Sequence, residues 1–249
     1  MRGKMITKFW KMLEIVANTR YALKQGVYRK CIYENKKLKF SFLDHKQWIM
    51  INGDLTNWLN YIQEQKFEEV YFRAGLKMIQ NNEEGQVHPD WRIECIGKEQ
   101  NRLFDFYMVF RNFQEGWEET LREIKYSEEM ERHIELEFNE EDLINALKDC
   151  LEYAKEIGEK NDSLIFERSM RVIAGDYSRE EIEGEQEDPF ILPPTYSKKA
   201  QRIMDTLKAT QVFHGMGNWA DGGVPKRMID EMYKQYMLAA LWAINEGDK

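Results

Sequence analysis

The chain has 249 residues, 43% of them hydrophobic and 32% charged, with a net charge of −8. Thirteen Phe, twelve Tyr and seven Trp exclude a globally disordered chain, since their burial can offset the entropy of ordering. The negative charge weighs against nonspecific binding of nucleic acid, and no apolar run is long enough to span a bilayer.

The most apolar N-terminal stretch, Phe9 to Leu23, is interrupted by Lys11, Glu14 and Arg20, so neither a signal peptide nor a membrane anchor is expected. Cys31, Cys95 and Cys150 are far apart, odd in number and without zinc-type pairing, which fits free thiols in a reducing compartment. A soluble, cytoplasmic, acidic protein without cofactor or metal is predicted.

In chain order, Phe9, Met12, Leu13, Val16 and Leu23 fall on one helical face, which Gly26 ends. Val27–Tyr33, Leu38–Phe42 and Trp48–Ile51 are short, aromatic or β-branched, and read as an antiparallel meander. Asp54 can cap a helix carrying Leu55, Trp58, Leu59 and Ile62, which Phe67, Val70, Tyr71, Ala74 and Met78 extend. Trp91–Ile96, Leu103–Phe110 and His133–Phe138 have strand-like patterns.

Asn139 then offers an N-cap, followed by first-turn acids and a helical face of Leu143, Ile144, Leu147, Cys150, Leu151 and Ala154, ending near Gly158. A further helix covers Ser163 to Ala174. Prolines hold 188–194 extended, Ser197 caps the next helix, and Pro225 stands where an N1 proline starts the last one. The fold class expected is α+β: a mixed part over residues 1–132 with short antiparallel strands, and a mainly helical part over 133–249, the two able to form one continuous domain.

Charge is unevenly placed. The first forty residues hold eleven Lys or Arg against Glu14 and Glu34, whereas Glu115 to Lys160 holds sixteen acids against six bases. Such a chain can attract a basic partner protein to its acidic segment; alternatively, the two segments are solvated faces that partly neutralise one another.

The most unusual stretch joins the last two helices. Gly215, Gly217, Gly222 and Gly223 permit close backbone approach, while His214, Asn218, Trp219 and Asp221 supply varied side chains, a candidate ligand site with His214 as acid/base, Asp221 orienting it and Trp219 as apolar wall. The other reading is a tight connection with Trp219 as a buried anchor and His214 and Asp221 as caps. The glycines are not a phosphate loop, because no strand precedes them and no Gly-Lys-Ser/Thr ending follows.

The run Phe213-His-Gly-Met-Gly-Asn-Trp-Ala-Asp221 resembles a Phe-Gly-Gly-Met-Gly-Ser-Trp-Asn-Asp motif near the C-terminus of small uncharacterised bacterial proteins, with His214, Asn218 and Ala220 as departures. The resemblance covers about the last fifty residues and implies a bacterial origin and a shared C-terminal architecture. By analogy, some such families look like immunity proteins of toxin systems.

His133, Glu135 and Glu137 would share one face of a strand and could hold a divalent metal, although a strand with one wet face gives the same alternation. No nucleophile elbow, His-Glu-x-x-His pair or dinucleotide fingerprint occurs, which lowers the expectation of an enzyme. The leading expectation is an interaction protein of immunity or antidote type that binds a basic partner protein. An enzyme or small-ligand binder using residues 213–223, and a phage or mobile-element structural protein, are the alternatives.

Overall fold

A computed structural model describes residues 2–27, 37–41, 48–52, 56–74, 91–112, 116–124, 137–178, 192–210 and 224–248. They form the expected α+β protein, with six helices and one six-stranded sheet among these residues. The chain divides into two compact units. One comprises Lys8–Leu76 and His88–Ile134; the other comprises Met1–Thr7, Lys77–Val87 and Glu135–Lys249.

Helix α1 (Arg2–Gln25) presents Phe9, Met12, Leu13 and Val16 to the core at helical spacing, all fully buried. Gly26, at φ +65°, ends it by donating its N–H to the Ala22 carbonyl at 2.8 Å. Strands β1 (Lys37–Ser41) and β2 (Trp48–Asn52) pair antiparallel, as the sequence predicts. Residues 28–36 of the expected meander lie outside the described residues.

Helix α2 (Thr56–Glu64) buries Trp58, Leu59, Tyr61 and Ile62. Its expected extension is overturned. Lys66 adopts φ +56°, which stops the helix, and Phe67–Ala74 is strand β3. Val70 and Phe72 point into the core while Glu69 is exposed and Tyr71 and Arg73 are half-buried, so a period of two governs residues that also fit a helical stripe. Met78 lies outside the described residues.

Strands β4 (Trp91–Gly97) and β5 (Asn101–Asn112) match the sequence reading, whereas β6 (Gly116–Ile124), rich in acids, was not anticipated as a strand. The sheet order is β2-β1-β6-β5-β4-β3, with every neighbouring pair antiparallel except β1 and β6, which run parallel. One face carries Val70, Phe72, Trp91, Ile93, Cys95 and Phe104 beneath α1 and α2. The Phe9 ring lies 4.8 Å from Trp91 and 5.8 Å from Phe72, and Trp58 meets Phe104 edge-on at 5.1 Å. Each such fully buried apolar side chain stabilises the fold by about 1.5–3 kcal/mol.

The helical unit contains α3 (Glu140–Glu156), α4 (Lys160–Ala174), α5 (Lys198–Thr210) and α6 (Lys226–Asn245). Helix α3 packs on α4 and α6, and α5 packs on the same two, closing a ring of four around Leu147, Phe166, Leu207, Tyr236 and Met237. The Asn139 side chain accepts the Glu141 N–H at 3.1 Å, the expected cap, and Gly158 and Gly175 end α3 and α4 at positive φ.

Ser197 Oγ accepts the Ala200 N–H at 3.1 Å, again as expected, and the Ser197 N–H donates to the Gly247 carbonyl at 2.7 Å. The end of α6 is thereby tied to the start of α5. The approach is close enough that a Cβ on Gly247 would stand 2.4 Å from both Ala200 Cβ and the Ala243 carbonyl oxygen. Pro225 occupies the N-cap of α6, one position before the N1 site expected.

Candidate functional site

His214, Asn218, Trp219 and Asp221 lie outside the described residues, but both roots of their loop are described. Upstream, α5 is buried from Ile203 to Thr210, polar residues included. Tyr177 donates its hydroxyl to Asp205 Oδ2 at 2.6 Å, and Lys208 Nζ stands 3.5 Å from Asp205 Oδ1. Arg168 donates to the Ala209 carbonyl at 3.1 Å, satisfying one of the acceptors that a helix C-terminus leaves over and placing positive charge at the negative end of its dipole. The Thr210 hydroxyl lies 2.7 Å from the Thr206 carbonyl and 3.1 Å from Ser169 Oγ. This network fixes the helix end from which the glycine-rich stretch departs.

Of the candidate metal group, His133 and Glu135 lie outside the described residues. Glu137 is exposed, and with Phe138 it has no regular secondary structure, so the expected strand does not reach its described end. Among the described residues no three His, Cys, Asp or Glu side chains group to hold a metal. Cys95 and Cys150 are buried and free of disulfide; burial, with nearby carboxylates, pushes both thiols up, that of Cys150 to about 12. Neither is a thiolate at neutral pH. Cys31 lies outside the described residues.

The structure sorts the charges that the sequence shows only as runs. On the basic side, Arg20 and Lys11 are buried rather than solvated. Among the acids, Glu123 is buried in the sheet unit, 3.1 Å from Arg102, whose guanidinium also donates to the Tyr61 hydroxyl at 3.1 Å. Glu140 sits between Lys199 and Arg202 at 2.9 and 2.8 Å; burial opposes ionisation, but the hydrogen bonds and charges of these two bases hold its carboxyl below the usual range.

What remains is α3. Its inward side is Leu143, Ala146, Leu147, Cys150 and Ala154, so Glu141, Asp142, Asp149, Glu152 and Glu156 are exposed on the opposite side. Asn145 and Lys148 complete this strip, and Lys148 lies 4.0 Å from Glu152. Lys155 turns aside to Glu167 of α4 at 2.7 Å. Exposed pairs of this kind contribute about 0–1 kcal/mol, so the strip keeps a negative field along about 22 Å of helix.

No family model, curated protein or solved structure matches the chain. No helix among the described residues is long and apolar enough to cross a membrane.

Proposed function

We propose that this chain is a bacterial, cytoplasmic interaction protein of immunity or antidote type that binds a basic partner protein through the outward strip of α3. The observation that carries the reading is the exposure of five carboxylates on that strip with Lys148 as the one base among them. Complementary charge steers encounter and fixes the choice of partner more than it adds affinity, so binding of this kind weakens as salt rises.

The test is a pull-down from the source cell at low and moderate salt, with wild type and an Asp149→Lys/Glu152→Lys/Glu156→Lys variant. A protein retained by wild type, weakened by salt and lost from the variant is the expected result. Recovery of no partner at either salt concentration, or equal recovery by the variant, counts against the reading.

A second reading is a small-ligand site in residues 213–223. It is favoured by the network in which half-buried Tyr177 meets buried Asp205 and Lys208, and which holds the helix end that leads into them. Trp219→Ala separates the two roles of that stretch. An anchoring Trp219 costs about 3–5 kcal/mol on truncation, whereas a ligand wall leaves the unfolding midpoint nearly unchanged.

A further inference from the structure

No further inference is drawn: the strongest candidate, the row of Arg73, Arg92, Asp105 and Arg122 that the strand register sets across β3 to β6 on the sheet face away from α1 and α2, carries nothing because Arg73 is spent on Glu94 at 2.6 Å and Glu94 and Leu103, beside the row on that same face, are buried while nothing in the structure shows what covers them.

Discussion

The buried ion pair of the sheet unit gives the sharpest test of how that unit is held together. Arg102 and Glu123 are about nine-tenths buried and lie on adjacent strands, and Arg102 is shared with the Tyr61 hydroxyl of α2. Removing one partner of such a pair strands the other charge in a low-dielectric site, at about 3–5 kcal/mol; removing both and filling the space with apolar side chains is far less harmful. Arg102→Met and Glu123→Leu should each lower stability by about 3 kcal/mol, about 6–12 °C in melting temperature for a chain of this size. The double variant should lose much less than the sum, with a coupling of about 2 kcal/mol or more. Urea denaturation of the four proteins in the cycle measures this. Single variants within about 1 kcal/mol of wild type, or strictly additive losses, would show that the pair is solvated in a way its burial denies.

Gly247→Ala places a Cβ 2.4 Å from Ala200 Cβ and the Ala243 carbonyl oxygen, so it should lower stability by about 2 kcal/mol, or about 4–8 °C by calorimetry. Glu140 has a carboxyl pKa below its ordinary value, so its contribution to folding is present above about pH 4.5 and lost as pH falls through the lower folded value. Acid titration of Glu140→Gln should accordingly show a shallower loss of stability below that pH than wild type. Cys95 and Cys150, raised by burial, should resist alkylation at pH 8 until urea unfolds the chain, with mass spectrometry counting the adducts.

The elements most legible in the sequence were those with local signals. The stripe through Phe9 and Val16, the cap at Asn139, the cap at Ser197 and the stops at Gly26, Gly158 and Gly175 all depend on residues within a turn of one another. Strand β3 was misread because Phe67, Val70, Tyr71 and Ala74 satisfy a helical period as well as a strand; the left-handed residue that decides between them, Lys66, has nothing in its side chain to announce it. Strand β6 was missed because its acids look like surface, although Glu123 points inward to a base that reaches it from β5. The acidic segment was visible as a run, but the sorting into buried Glu123, tethered Glu140 and the exposed strip of α3 depends on contacts far apart in sequence, such as Arg202 with Glu140. The expected site at His214, Asn218, Trp219 and Asp221 lies outside the described residues.

The parallel pairing of β1 with β6 also bears on the order of events during synthesis. The hairpin of β1 and β2 is made early, yet among the described residues it joins the rest of the sheet only through β6, which begins 75 residues after β1 ends. A lone two-stranded hairpin is marginal in water, and translation at about 5–20 residues per second leaves it waiting about 4–15 s for its neighbour. The nascent chain therefore carries an unpaired β1 edge through most of the sheet unit's synthesis. In that interval, rather than in the finished protein, a chaperone or a neighbouring nascent chain has its best access to this part of the molecule.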